Sequence, residues 1–187
     1  YGLHANFDVA IAMCPTTHTC RALSRHIPTH FIYEEGYTEE KLSGLVSHCQ
    51  AMVKKHGSAA PKYLLIWDDC MHDKKIQQSA ALRTIAMNGR QLNITFINCM
   101  QYCMDMHSSL RGQIDYVIVL QENIKANKER LYKYFFGMFP NLVEFTKTMD
   151  TITSDHGALV LDNTHPDTTL NNILYWYKGL LMAEIPP

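Results

Sequence analysis

Hydrophobic residues in this chain follow two rhythms. Short unbroken runs stand at residues 7–13 (FDVAIAM), 63–67 (YLLIW), 94–98 (ITFIN), 116–120 (YVIVL) and 158–161 (ALVL). Runs of this length, rich in β-branched and aromatic side chains, suit strands, and a continuous apolar run suits a strand buried on both faces. A shorter strand is expected at residues 30–33. Between the runs, apolar positions recur at i, i+3, i+4 and i+7. Leu42, Leu45, Val46, Cys49, Met52 and Val53 form such a stripe, the mark of a helix packed by one face. Thr38 is placed to cap it, Glu39 and Glu40 stand in its first turn, Lys54 and Lys55 in its last, and Gly57 follows. Both signs of charge match the helix dipole. Further helices are expected over residues 74–88, stopped by Gly89, over 126–138 with Leu131, Phe135 and Met138 inward, and over 141–151 after Pro140.

Strands that alternate with helical stretches imply βα units around a mostly parallel sheet, because parallel neighbours need a crossover. The fold class is therefore α/β. Residues 94–98 and 116–120 are both expected in the interior of that sheet, with Tyr175, Trp176 and Tyr177 closing its edge. No repeat or Gly/Ser-rich linker divides the sequence, so residues 1–187 are expected to form one domain.

Composition changes this picture little. With 47% hydrophobic and 19% charged residues among 187, the chain has enough apolar material for a core and is not a disordered polymer. A net charge of −1 gives no global attraction to nucleic acid or to an acidic membrane, so any DNA contact has to use a local patch. No segment has the length and apolarity of a membrane span or the pattern of a signal peptide, and a soluble intracellular protein is expected. The cysteines, Cys14, Cys20, Cys49, Cys70, Cys99 and Cys103, include no C-x-x-C pair. Free, mostly buried thiols in a reducing compartment are expected.

Candidate chemistry gathers where the 63–67 run ends in Asp68 and Asp69. Open α/β sheets bind ligands beside the carboxyl ends of their strands. There Asp68 can hold Mg²⁺ through water, and Asp69 can orient or deprotonate the water that attacks a γ-phosphate. The plainer alternative is a strand followed by an aspartate-rich turn. With His72 and Asp73 the same carboxylates form a candidate two-metal cluster of the nuclease type, although Asp73 also suits the N-cap of the next helix. Gln101, just past the 94–98 run, reaches the same crevice. Arg111, and secondly Arg90, are candidates for an arginine offered to a neighbouring subunit's nucleotide, where it stabilises charge on the transferring phosphoryl group. Otherwise each is an exposed side chain. Lys125, Lys128, Arg130 and Lys133 make a basic stretch that either faces DNA phosphates or is a solvated helix face. Tyr132, Tyr134, Phe135 and Phe136 interleave with it, and aromatics at helical spacing pack in a core more often than they stack on bases.

Six segments follow one another in a telling order. They are Ala12-Met13-Cys14-Pro15-Thr16, Leu65-Ile66-Trp67-Asp68-Asp69-Cys70, Asn88-Gly89-Arg90, Cys99-Met100-Gln101-Tyr102, Leu110-Arg111 with Ile114-Asp115-Tyr116, and Glu122-Asn123 with Arg130-Leu131-Tyr132. In this order they resemble the genome-packaging ATPases of poxviruses and other large nucleo-cytoplasmic DNA viruses, a branch of the FtsK–HerA superfamily of P-loop ATPases. The resemblance spans residues 7–178. It implies a P-loop NTPase-like three-layer sandwich with a mostly parallel central sheet, and ATP and Mg²⁺ as ligands. It implies Asp68 as the Walker B metal ligand, Asp69 as the catalytic carboxylate, Gln101 as the sensor, and Arg111 or Arg90 as the arginine finger across a ring interface. The implied function is ATP-driven translocation of double-stranded viral DNA by a homo-oligomeric ring. Its implied partners are capsid or portal-region proteins and no membrane, and its place is the virion or the viral factory in the host cytoplasm.

The family's Walker A motif, G-x-x-x-x-G-K-[ST], has no match here, and the Gly57 to Lys62 segment has the wrong spacing. Gln91 stands where relatives often carry histidine, and Gly112-Gln113 where asparagine is common. The first strand corresponds to the one after the family's P-loop helix. The chain is therefore expected to lack the first strand and P-loop, and to bind ATP poorly by itself, while the intact protein hydrolyses it. Two other functions stay open: a degenerate, non-hydrolysing scaffold of the same fold that binds DNA or capsid, and a two-metal nuclease.

Overall fold

The run at residues 63–67 becomes an inner strand of a parallel sheet, buried from Tyr63 to Trp67. The computed structural model describes residues 7–36, 38–70, 76, 79–102 and 106–179. They fall into two compact units, one made by residues up to Gln101 together with 106–113, the other by Tyr102 with 114–179. In chain order the first holds β1 (Val9–Met13), α1 (Thr17–Leu23), β2 (Ile32–Tyr33), α2 (Glu39–His56), β3 (Tyr63–Asp68), α3 (Ala80–Asn88), β4 (Ile94–Cys99) and α4 (Ser108–Arg111). The second holds β5 (Tyr116–Val119), α5 (Lys125–Tyr134), α6 (Leu142–Ile152), β6 (Gly157–Asp162), α7 (Leu170–Ile173) and β7 (Leu174–Lys178).

In the first unit the strands lie in the order β2-β1-β3-β4, all parallel. Alternate side chains point to opposite faces, so each strand serves two cores. Leu64 and Ile66 pack with Ala12 and Ile27 against Leu23 and Phe31. On the other face the Tyr63 ring meets His48 of α2 edge-on, with centroids 5.8 Å apart. Helical material thus covers both faces of β3. The second helix forms as its sequence predicts: Thr38 accepts from the Lys41 N–H, Leu42, Val46 and Cys49 are buried, and Gly57 ends it at φ 56°. A left-handed residue just past a helix is a position that glycine fills at little cost.

The second unit differs from the expected βα pattern. Strands β5, β6 and β7 form an antiparallel sheet. Two helices separate β5 from β6, and α5 and α6 pack together. A helix pair returns the chain to the end it left, so the next strand runs antiparallel. One face of this sheet carries the core, with Phe136, Phe145, Met149 and Leu159 fully buried and the Phe136 and Phe145 rings stacked at 4.9 Å.

Several expectations are corrected. Residues 94–98 and 116–120 are not interior strands among the described residues: β4 and β5 each pair on one side only, Thr95 and Ile97 are exposed, and Ile118 is 65% exposed. An apolar run records that a strand is sticky, not who sits beside it. The third helix starts at Ala80, because Ser79 has extended ψ and its Oγ caps the Leu82 N–H. The helix expected over 126–138 ends at Tyr134, where the chain turns to put Phe136 and Phe139 in the core. A helix at Thr17–Leu23 went unforeseen. Finally, Cys14 and Cys20 are not free thiols but form a disulfide, their Cα atoms 6.3 Å apart. The turn at Pro15 and Thr16 starts α1 and brings Cys20 back beneath Cys14. Cys49 and Cys70 are free and buried, as expected, and Cys103 lies outside the described residues.

Candidate functional site

The pairing register places Asp68 opposite Cys99, at the carboxyl ends of β3 and β4. The next residue, Asp69, leaves the strand at φ 53°, a left-handed conformation that few non-glycine residues adopt and that aspartate tolerates better than most. Its N–H donates to the Cys99 carbonyl at 3.1 Å, so the turn is anchored to β4. From just beyond β4, Gln101 Nε2 donates to Asp69 Oδ2 at 3.4 Å. The two carboxylates are half-buried and Gln101 is exposed.

Cys70 lies buried beneath this turn. Its Sγ donates to the Met13 carbonyl at 3.1 Å, bridging the ends of β1 and β3. Burial pushes the thiol up to about 11, and the charges of Asp68 and Asp69 act in the same direction. The thiol therefore stays protonated and serves as a donor, leaving the carboxylates as the negative groups of this edge. Two adjacent carboxylates, one steadied by a carboxamide, can bind a hard cation and align a water molecule.

Among the described residues, no group of three or more His, Cys, Asp or Glu side chains is placed to hold a metal ion. This donor set fits magnesium, which keeps much of its water and uses one or two carboxylates beside substrate phosphates. The candidate nuclease ligands His72 and Asp73 lie outside the described residues.

The other candidates separate. Arg90 sits in the turn Gly89–Leu92, before β4 begins, whereas Asp68 is level with the end of β4. Six strand residues put roughly 17 Å between those edges. The structure therefore does not bring Arg90 to the carboxylates of its own chain. Arg111 closes α4, and its guanidinium donates to the Met106 carbonyl at 2.7 Å, within its own loop. In the basic stretch, Lys128 pairs with Asp150 of α6 and is only 12% exposed, so it fastens two helices together. Lys125, Arg130 and Lys133 remain exposed. Glu122 accepts from the Ile124 N–H at 2.7 Å and from Asn127 at 2.8 Å, and Arg130 donates to Asn127 at 3.4 Å. The Glu122 to Arg130 pattern thus builds the first turns of α5.

Sequence reasoning passed over Asn98. It pairs in register with Trp67, and both its Oδ1 and its Nδ2 are buried with no hydrogen-bond partner among the described residues. The available signal was a carboxamide inside an otherwise apolar run.

No family model matches the chain. It is 30% identical, over 94% of its length, to an uncharacterised protein of Acanthamoeba polyphaga mimivirus, and 29% identical, over 91%, to one of Invertebrate iridescent virus 3. The chain spans 64% of the length of each of these relatives. Among solved structures it superposes on the DNA-packaging ATPase B204 from Sulfolobus turreted icosahedral virus with a TM-score of 0.67 at 14% identity, covering 95% of this chain and 85% of that one. The genome-packaging NTPase B204 of Sulfolobus turreted icosahedral virus 2, in complex with AMPPCP, superposes with a TM-score of 0.58 at 16% identity, over 81% of this chain and 66% of that one. The chain has the fold of viral genome-packaging NTPases, a mixed α/β fold with a mostly parallel central sheet.

Proposed function

We propose that this chain is the nucleotide-hydrolysing core of a motor that drives double-stranded viral DNA into a capsid, with both units belonging to one ATPase core. The observation that carries the proposal is the position of Asp68 and Asp69 at the carboxyl edge of a parallel sheet, with Gln101 on Asp69, in a fold shared with viral genome-packaging NTPases. ATP is the substrate. The G-x-x-x-x-G-K-[ST] phosphate-binding motif has no match in this chain, which spans 64% of the length of each of these two viral relatives.

In this mechanism Asp68 would hold Mg²⁺ as the Walker B carboxylate. The ion, when bound, neutralises charge on the β- and γ-phosphates. Asp69 orients the attacking water and takes its proton, and Gln101 fixes the carboxylate for that task. Arg111 acts on the nucleotide of the next subunit in a homo-oligomeric ring. Arg90, on the far edge of the sheet, is the second candidate and can act only across such an interface. Capsid or portal-region proteins receive the motor, in the virion or in the viral factory where genomes are packaged.

The test uses the full-length viral protein. Mg²⁺-dependent ATP hydrolysis stimulated by double-stranded DNA is expected, and Asp69→Asn should abolish it while nucleotide binding persists. Full activity in Asp69→Asn would overturn the assignment of Asp69. A full-length protein that binds DNA and hydrolyses nothing would replace the motor with the non-hydrolysing scaffold.

A further inference from the structure

Asn98 is an anomaly in a well-packed sheet. It pairs with Trp67 across the β3–β4 ladder and lies on the face of Phe96 and Trp67, whose rings meet edge-on at 5.2 Å. Neither polar atom of its carboxamide reaches solvent or a hydrogen-bond partner among the described residues. Water satisfies such a group fully in the unfolded chain, so burying it unpartnered weakens the folding equilibrium by roughly tenfold or more. Leucine, of nearly the same branched shape, would carry no such penalty. Packing therefore gives no reason for an asparagine here.

Its position suggests one. The next residue along β4, Cys99, is level with Asp68 and accepts the Asp69 N–H through its carbonyl. Asp69 is itself held in a left-handed conformation. The amide of Asn98, level with Trp67, and the left-handed turn at Asp69 thus stand two register positions apart at the same strand ends. Strain of this kind persists in folded proteins where another state uses it.

We propose that Asn98 is a positioning residue for the Asp69 turn. Its carboxamide accepts a hydrogen bond from the main-chain N–H of Cys70 when nucleotide is loaded, the Asp69 N–H being held by the Cys99 carbonyl, and so couples occupancy of the site to the orientation of the Asp69 carboxylate. Asn98 does not touch the reacting atoms and is distinct from Gln101, which meets the carboxylate directly. The inference rests on the nucleotide-hydrolysing function proposed above.

The experiment compares full-length wild type with Asn98→Leu and Asn98→Ala. Without nucleotide, Asn98→Leu should melt at a higher temperature than wild type, since a buried amide has been replaced by an apolar isostere. Its kcat should fall tenfold or more, with KM for ATP within about twofold. A non-hydrolysable ATP analogue should raise the melting temperature of wild type more than that of the variant. Should leucine prove too bulky to fold, Asn98→Ala removes the amide without adding volume and should show the same loss of kcat. Unchanged kcat in either variant overturns the proposal, and so does a lower melting temperature of a folded Asn98→Leu protein, which would reveal partners in the resting state. If wild type neither hydrolyses ATP nor responds to the analogue, the ATPase function itself falls. An active wild type with active variants removes only the role of Asn98.

Discussion

Gln101 donates its carboxamide N–H to the Asp69 carboxylate at 3.4 Å, joining the ends of β3 and β4 across the candidate site. In the proposed mechanism Gln101 orients the carboxylate and Asp69 acts on the water. General-base catalysis contributes on the order of 10²- to 10⁴-fold, so Asp69→Asn should lower kcat of the full-length protein at least about a hundredfold by that measure. Gln101→Ala should cost less, on the order of tenfold. Because Gln101 acts through the Asp69 carboxylate, the double variant should be no slower than Asp69→Asn alone. Steady-state ATPase assays decide this, and additive losses would separate the two residues.

Asp68 should have a different signature. Asp68→Asn removes a carboxylate from a cation that uses only one or two of them, so the Mg²⁺ concentration for half-maximal activity should rise about tenfold or more. A magnesium titration unchanged by the substitution would take Asp68 out of the metal site.

Glu122 makes a prediction about pH. The Ile124 N–H holds its carboxyl below the usual range, and the Asn127 side chain adds to this. With the folded value below the unfolded one of about 4.5, its contribution is complete above that pH and is lost as pH falls through the lower folded value. Glu122→Gln should thus melt below wild type at neutral pH, with the gap closing as pH falls below the unfolded value of about 4.5. The neutral-pH deficit should be about 1 kcal/mol, as for other helix-start contacts. Thermal melts of both proteins across that range provide the check.

Gly157 is the tightest backbone contact described. A Cβ there would overlap the carbonyl oxygen of Ile152, on main chain that cannot rotate away. Gly157→Ala should cost about 3 kcal/mol, at the upper end for overpacking, and chemical denaturation should show a clear loss. A neutral effect would mean that the turn at Asp155 and His156 relaxes easily.

The parts of the fold legible in the sequence were those decided locally. The second helix could be read from its cap to its glycine because Thr38, Glu39, Lys54 and Gly57 each satisfy a requirement of the residues beside them. The position of Asp68 and Asp69 at a strand end could be read because the apolar run stops there, although a strand end followed by an aspartate turn is also common. Pairing direction could not be read. YVIV at β5 looks the same in a parallel or an antiparallel sheet, and only the two-helix return through α5 and α6 decides. The disulfide was hidden because Cys14 and Cys20 meet through α1, a short helix with two threonines and no clear apolar stripe. Asn98 was hidden by its own strand, since a polar residue near a run's end passes for the start of a loop.

Individual ladders close over very different lengths of chain, within each sheet as well as between them. Val9 pairs with Tyr63, 54 positions away, and Tyr63 with Ile94, 31 away, whereas Leu161 pairs with Leu174 only 13 positions on. Closing the longer loop costs about 1 kcal/mol more in chain entropy, and contacts between distant residues slow folding generally. In pulse-labelled hydrogen exchange during refolding, amides of β6 and β7 should gain protection before those of β1 and β3. The candidate carboxylate edge on β3 would then assemble after the β6–β7 hairpin.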